Sequence, residues 1–179
     1  MSVRNLKVKT AYCGTAYHGF QRQENAVSVQ NILEDRLSRL TASEVRIQGC
    51  SRTDTGVHAN EYFFSFTTEH PIPCNNIIRG MNSLLPADIA VLDCEEVPMD
   101  FHARYSCKGK EYIYKILNRA VRDPFLDGLA LHYPYELDIE KMNRAGKYIE
   151  GTHDFLCFCA ALGIKENTVR TVSLCETRR

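Results

Sequence analysis

The segment Asn5-Leu6-Lys7-Val8-Lys9-Thr10-Ala11-Tyr12 decides the fold class, because apolar and polar side chains alternate along it. Successive side chains of a β-strand point to opposite faces, so this alternation predicts a strand with one buried face. We expect Leu6, Val8 and Tyr12 on the buried face and the two lysines on the exposed face. A strand of this kind needs other elements packed over its apolar face.

Five further elements are predicted between residues 28 and 97. They are a helix capped by Ser28 and running to Leu40, a strand at Val45–Cys50, a strand containing Tyr62 to Phe66, a helix from Ile77 to Leu85, and a strand at Ile89–Val97. The last strand has apolar residues on both faces, which favours a central place in a sheet. The order β-α-β-β-α-β is that of a ferredoxin-like unit, an α+β fold, to which we assign residues 1–100.

A second series of elements begins after residue 100 and is incomplete. A strand is predicted at Lys110–Leu117, a helix capped by Asp138 follows, and a further strand is predicted at Thr168–Leu174. Half a unit leaves a sheet edge and an apolar face uncovered. We therefore expect residues 101–179 to be the start of a second α+β unit in a longer protein. The alternative is a complete protein whose edge is covered by a partner chain.

The composition is that of a folded globular protein, since 44% of the 179 residues are hydrophobic and 25% are charged. This composition excludes a wholly disordered chain and a collagen. No apolar run reaches the ~18 residues that a membrane-spanning helix needs. The first nine residues have no continuous apolar core, so no signal peptide is expected. These features predict a cytoplasmic protein without a membrane partner.

The net charge is zero, but the charges are unevenly distributed. Residues 1–23 contain four basic and no acidic residues, and residues 101–122 contain six basic residues against one acid. Such stretches can present basic faces to a polyanion even in a neutral protein. The alternative is that they form ordinary solvated faces of strands and loops.

Eight cysteines occur without any C-x-x-C pair. In a chain without a secretory signal we interpret them as reduced thiols, mostly small core residues. The only local cluster is His153-x-x-x-Cys157-x-Cys159, whose spacing matches no common zinc motif and lacks a fourth ligand. We therefore predict no metal.

The segment Ser51-Arg52-Thr53-Asp54-Thr55-Gly56-Val57-His58-Ala59 carries the most specific chemistry. In an extended segment Arg52 and Asp54 leave the chain on the same face, where an arginine keeps the carboxylate ionised. An ionised and positioned carboxylate is a nucleophile or an electrostatic stabiliser. The alternative is a surface ion pair. Asp54-Thr55-Gly56 also spells the aspartic-protease triplet, which would require a symmetric dimer because that chemistry needs two carboxylates.

Four segments in order resemble the motifs of the tRNA pseudouridine synthase A family. Ser51–Ala59 is similar to G-R-T-D-x-G-V-H-A, and Tyr12–Gln23 is similar to Y-D-G-T-x-Y-x-G-(F/W)-Q-x-Q. Asp100–Ser106 resembles D-F-H-A-R-x-S, and Lys110–Tyr114 resembles K-x-Y-x-Y. Gly151–Phe155 matches a later loop of the family. The resemblance covers essentially the whole chain.

The resemblance implies an enzyme with the pseudouridine synthase fold, a mostly antiparallel sheet with helices on one face. It would isomerise uridine to pseudouridine in the anticodon stem-loop of tRNA, at tRNA positions 38–40, as a homodimer and without metal or organic cofactor. Asp54 would attack the ribose or the pyrimidine ring, Arg52 would pair with it, and Tyr112 would stack on the flipped uracil. From the residues alone, Tyr112 is better interpreted as a core tyrosine of a strand, because Tyr112, Tyr114 and Ile116 share one face.

The remaining residues that the resemblance places at the substrate are Gln21, Arg22, His58 and Arg104. His58 is interpreted as structural or RNA-facing. Ser51 stands where the family has glycine, and Cys13 stands where it has aspartate. We find no match to the family's later basic motif, F-x-x-x-M-V-R-N, which supplies an active-site arginine. The alternative function is therefore a non-catalytic RNA-binding fragment.

Overall fold

The computed structural model describes residues 2–159 and 167–179. The chain divides into two compact units, of which unit 1 ends at Tyr112 and unit 2 begins at Ile113. Within the described residues there are three α-helices and eight strands. The sequence-based division at residue 100 stays a prediction.

Unit 1 is built on a four-stranded sheet with two helices. Its elements are β1 (Arg4–Tyr12), α1 (Val29–Thr41), β2 (Gln48–Gly49), β3 (Ala59–Thr68), α2 (Cys74–Leu84) and β4 (Ile89–Val97). The strands lie in the order β2-β3-β1-β4, and each neighbouring pair is antiparallel. The predicted mixed class of helices with a mostly antiparallel sheet is confirmed.

The core of unit 1 lies between one face of this sheet and both helices. Leu6 and Val8 of β1 are fully buried, as the alternating pattern predicted. They belong to one apolar cluster with Phe64 of β3, Leu33 of α1 and Met81 of α2. The burial of large apolar side chains, each worth about 1.5–3 kcal/mol, is what holds the helices on the sheet.

The predicted helix boundaries have clear local causes. The Ser28 hydroxyl accepts the N–H of Asn31 at 3.3 Å, which caps the first turn of α1. α2 ends at Leu84, two residues before Pro86, which cannot continue a helix. The Arg36 Nε donates to the Leu84 carbonyl at 3.0 Å, so α1 also supplies a partner to the end of α2.

The prediction that β4 is a central strand is wrong, because β4 is an edge strand. Lys9 pairs with Asp93 and Thr10 pairs with Val91, so Leu92 is the extra residue of a β-bulge. The bulge changes the alternation of the strand: Val91 and Cys94 are buried, whereas Leu92 is 48% exposed. The apolar residues at both odd and even positions of β4 are therefore explained by the bulge and not by burial of two faces.

The strand predicted at Val45–Cys50 is reduced to the two residues of β2. Val45 and Ile47 are buried as expected, but side chains of α1 satisfy their N–H groups. The N–H of Val45 is bound by the Ser38 hydroxyl at 2.9 Å, and that of Ile47 by the Glu34 carboxylate at 3.1 Å. A strand pairing is therefore not needed at these positions.

In the described residues of unit 2 there are one α-helix and two short strand pairs. Its elements are β5 (Ile116–Leu117), β6 (Leu131–His132), α3 (Ile139–Gly146), β7 (Gly151–Asp154) and β8 (Val169–Val172). The β5–β6 pair is parallel and the β7–β8 pair is antiparallel. Asp138 caps α3 as predicted, its carboxylate accepting the N–H of Lys141 at 2.9 Å.

The strand predicted at Lys110–Leu117 is wrong for all but its last two residues. Among the described residues, no strand pairs with residues 110–114. Tyr112 is 83% exposed and Tyr114 is 76% exposed, so neither is the core residue that the strand pattern allowed. Alternation alone does not make a strand where no neighbour supplies hydrogen bonds.

The eight cysteines are all free thiols, as expected of a reduced protein. Only Cys94 is buried, so the prediction that most cysteines are core residues is wrong. Burial raises the pKa of the Cys94 thiol far above its usual range, because the core does not solvate a thiolate.

Candidate active site

The segment with the most specific motif forms an exposed loop between β2 and β3. Its chain turns where the N–H of Val57 donates to the Asp54 carbonyl at 3.2 Å. Gly56 has a φ of 79°, the positive value that the motif predicted there. Asp54 and Arg52 are both exposed. The loop therefore presents its carboxylate to solvent from a defined turn.

A second predicted segment, Gly14–Phe20, lies directly behind this loop. The N–H of Phe20 donates to the Thr53 carbonyl at 3.1 Å, and the N–H of Gly56 donates to the Tyr17 carbonyl at 3.2 Å. These bonds bracket Asp54 on both sides. The fold thus joins two motifs that lie more than thirty residues apart in the sequence.

The contact between the two segments is close enough to require glycine. A Cβ atom on Gly14 would lie 2.0 Å from the Val57 carbonyl oxygen. A Cβ atom on Gly19 would lie 2.4 Å from the Thr53 carbonyl oxygen, and Gly19 also has a φ of 80°. The backbones pack against each other with no space for a side chain, so the position of the loop is fixed.

Three aromatic residues form the buried base of the loop. The Tyr12 hydroxyl is 2.9 Å from the Thr53 hydroxyl, and the Tyr62 hydroxyl donates to the Ser51 carbonyl. The rings of Phe20 and Tyr62 are stacked with centroids 4.1 Å apart. Burial raises the pKa of Tyr12 to about 12, so its hydroxyl is neutral near pH 7.

Tyr12 and Tyr62 support the loop, a role that the sequence did not predict for either residue. Their hydroxyls hold Ser51 and Thr53 on either side of Arg52. The signal that could have identified them is a tyrosine, rather than a phenylalanine, on the buried face of a strand. A buried hydroxyl requires a hydrogen-bond partner, and here the partner is the loop.

The structure does not contain the ion pair expected between Arg52 and Asp54. Among residues 2–159 and 167–179, the ion pairs do not include one between these two side chains. The loop is not an extended strand, since it turns at Asp54. Both side chains are solvated, where an ion pair contributes little.

His58 has a structural contact in the loop. Its Nδ1 accepts the N–H of Gly14 at 3.1 Å, so this nitrogen carries no proton. The imidazole is half-buried. His58 therefore helps to join the two segments that define the loop.

Gln21 and Arg22 are exposed, and Arg22 is engaged by a buried carboxylate. The Arg22 guanidinium is 2.9 Å from the Glu34 carboxylate, whose side chain is 5% exposed. Glu34 also binds Arg46 at 3.2 Å and the N–H of Ile47 at 3.1 Å. Glu34 thereby connects the segment after Gly19 to α1 and to the approach to β2.

We expect Glu34→Ala to lower the free energy of unfolding by about 2–4 kcal/mol, measured by urea denaturation. The substitution leaves the buried N–H of Ile47 without this partner and removes one ion pair from each of two arginines. Glu44→Ala is the control, because Glu44 binds Arg46 with its side chain 73% exposed and should change stability by under ~1 kcal/mol. Equal losses in both variants would contradict this role of Glu34.

Arg104 and Tyr112 are exposed and lie in unit 1. Arg104 follows β4 in a turn of residues 98–106, and Tyr112 lies outside any strand. Within the part of the chain that the structure describes, no hydrogen bond or ring contact joins Tyr112 to Asp54. The structure therefore brings together the two motifs around Asp54, and the role of Tyr112 stays a prediction.

In the described part of the chain, no group of three or more histidine, cysteine, aspartate or glutamate residues is arranged to hold a metal ion. None of the helices there combines the length and apolar character that crossing a bilayer requires.

Comparison with known proteins identifies the family. The model of the tRNA pseudouridine synthase family matches residues 9–106. The chain is 45% identical over 170 residues to tRNA pseudouridine synthase A of Thermoanaerobacter sp. (strain X514), covering 95% of this chain and 70% of that protein. It is 43% identical over 172 residues to tRNA pseudouridine synthase A 2 of Clostridium tetani, covering 95% and 69%. With the protein of Staphylococcus saprophyticus, named tRNA pseudouridine synthase A, identity is 47% over 165 residues, covering 92% and 62%.

The Asp54 carboxylate is exposed on a turn whose backbone is fixed. A substrate that binds from solvent can therefore reach it. The chain belongs to the tRNA pseudouridine synthase family, whose members are isomerases. The matched range of the family model contains both segments that form the loop.

Proposed function

We propose that this chain catalyses the isomerisation of uridine to pseudouridine in the anticodon stem-loop of tRNA, at tRNA positions 38–40. The observation that supports this proposal is the exposed carboxylate of Asp54, which lies on a turn held from both sides by backbone hydrogen bonds. A fixed backbone at this position reduces the number of orientations that the carboxylate must search before it attacks. The relatives' names support the substrate class.

The reaction needs no oxidant and no hydrolysis. The N1–C1′ bond of uridine breaks, the C5–C1′ bond forms, the C5 hydrogen leaves as a proton, and N1 gains a proton. Asp54 acts as the nucleophile, on the ribose or on the pyrimidine ring, and is released unchanged.

The other site residues have assigned roles in this proposal. Arg52 pairs with Asp54 once solvent is excluded and occupies the space left by the flipped nucleotide. Tyr112 stacks on the extruded uracil, a contact for which its exposure is suited. Arg104, Gln21 and Arg22 contact the RNA, and His58 holds the loop.

We further propose a ferredoxin-like fold for the first unit and a homodimer that binds tRNA in the cytoplasm. The strand order β2-β3-β1-β4, with both helices on one face, supports the fold assignment. The exposed apolar residues of unit 2, among them Phe125, Tyr135 and Tyr148, support its assignment as an incomplete second unit.

The test of the function uses tRNA transcribed with uridine that is tritiated at C5. Each isomerisation releases one tritium to water, because C5 becomes the point of attachment. We expect release from tRNA with uridines at tRNA positions 38–40 and none when those uridines are replaced by cytidine. Release that is unaffected by the replacement would contradict the assigned positions.

The alternative is RNA binding without catalysis. The observation that favours it is the uneven charge of the chain, since residues 1–23 contain four basic and no acidic residues. Its signature is tRNA binding that weakens steeply with salt while no tritium is released. That combination of results would establish this alternative over the enzyme.

A further inference from the structure

The turn of residues 98–106 is fixed on the sheet of unit 1 by buried polar groups. The Asn5 side-chain amide donates to the carbonyls of Pro98 and Phe101, both at 2.9 Å. The N–H of Ala103 donates to the Ser65 hydroxyl at 3.2 Å. Asn5, Ser65 and Ala103 are all buried. The backbone of the turn is therefore held from β1 and from β3.

The turn is also closed by its own hydrogen bonds. The N–H of Ser106 donates to the His102 carbonyl at 2.8 Å, and the N–H of Arg104 donates to His102 Nδ1 at 3.1 Å. The N–H of His102 lies 3.3 Å from the Ser106 hydroxyl. These bonds fix the His102 imidazole as well as the backbone.

This rigid turn presents a large aromatic ring to solvent. Tyr105 is 78% exposed. Its ring centroid is 4.4 Å from that of His102, and the Arg104 guanidinium carbon is 5.9 Å from it. An aromatic ring that is already ordered loses little conformational entropy when a second flat group stacks on it.

The surroundings favour a nucleobase as that second group. Residues 101–112, which belong to unit 1, contain three basic residues and one acid, and this excess of positive charge suits a polyanion. Exposed aromatic rings beside arginine are the usual means by which proteins hold unpaired bases and the phosphates next to them. The residues directly before and after Tyr105 are Arg104 and Ser106, and a charged and a polar neighbour suit RNA better than the apolar centre of a protein interface.

We propose that Tyr105 stacks on a base of the bound tRNA other than the isomerised uridine, while Arg104 contacts an adjacent phosphate. The proposal rests on the proposed function, because it takes tRNA as the substrate. It assigns a recognition role to a residue at a variable position of the family motif quoted above. Tyr105 is a positioning residue and not a catalytic one, since the reacting atoms belong to Asp54 and the flipped uridine.

The test is the dissociation constant of unmodified tRNA, measured by filter binding over a series of salt concentrations. We expect Tyr105→Ala to weaken binding about 5-fold to 100-fold, the range typical of one stacked base. Tyr105→Phe keeps the ring and should stay within about 2-fold of the wild-type chain. The slope of the logarithm of the binding constant against the logarithm of the salt concentration should be unchanged in Tyr105→Ala. In Arg104→Gln this slope should be smaller by about one unit.

Tyr148→Ala is the matched control, because Tyr148 is 84% exposed in unit 2. We expect this variant to bind tRNA as the wild-type chain does. The proposal is overturned if Tyr105→Ala binds normally, or if Tyr148→Ala loses as much affinity. The proposed function is tested separately, by whether tritium release depends on Asp54. If that dependence is found while Tyr105→Ala binds normally, only the stacking role of Tyr105 is wrong and the proposed function stands.

Discussion

Replacing Asp54 by asparagine is expected to reduce pseudouridine formation by at least about 1000-fold, the scale of loss when a nucleophile is removed. Asparagine has nearly the same shape but carries no negative charge and cannot form the covalent intermediate. Because Asp54 is exposed, its replacement should change the free energy of unfolding by less than ~0.5 kcal/mol. The measurement is tritium release from C5-labelled tRNA, with urea denaturation to verify folding.

Asp35→Asn is the control for this prediction. Asp35 is also an exposed aspartate, on α1, and pairs with Arg36. Its replacement removes the same charge from the chain without altering the loop, so activity should stay within about 2-fold. Asp54→Asn with wild-type activity would remove Asp54 from the reaction and with it the proposed mechanism.

The second large effect is expected from Gly14→Ala. The added methyl would lie 2.0 Å from the Val57 carbonyl oxygen and 2.6 Å from its carbon, so the backbone of the loop must move. Overpacking of this kind costs about 1–3 kcal/mol of stability. A displacement of about 1 Å at a catalytic group can lower the rate about 100-fold, and we expect a loss of that size.

Gly109→Ala separates this effect from the general consequences of replacing glycine. No atom lies within 4 Å of a Cβ built on Gly109. This variant should retain both its stability and its rate of tritium release. If Gly14→Ala were as active as Gly109→Ala, the contact between the two segments would not be what positions Asp54.

Together these variants test whether Asp54 acts alone or as part of a preorganised turn. Asp54→Asn removes the reacting group and leaves the turn, whereas Gly14→Ala leaves the group and disturbs the turn. The amide of Gly14 also donates to His58 Nδ1, so its displacement would weaken a second connection at the same place.

Much of unit 1 was predictable because its local signals agree with one another. The alternation that predicted β1 is matched by burial of Leu6, Val8 and Tyr12. Ser28 and Pro86 mark helix boundaries through capping and through the missing amide, which act within a few residues. The predicted turn at Gly56 is also present, because glycine has no side chain that opposes a positive φ.

The errors arise where a neighbour in space decides the outcome. Leu92 is exposed because β4 bulges against β1, and pairing register is not written in a single strand. β2 is short because Ser38 and Glu34 of α1 take the amides that a strand partner would have used. Tyr112 lies outside a strand because no neighbouring strand reaches it in the described residues.

For the site, the sequence by itself predicted Asp54 and Arg52 as candidate reactive groups, and the resemblance to the family added the glycine-containing segment Tyr12–Gln23. Only the tertiary structure decided that Gly14–Phe20 lies behind Asp54, that Tyr12 and Tyr62 support the loop, and that Arg52 and Asp54 do not pair. Residue types fix what chemistry is available, whereas contacts between residues far apart in the chain depend on how the sheet and helices pack.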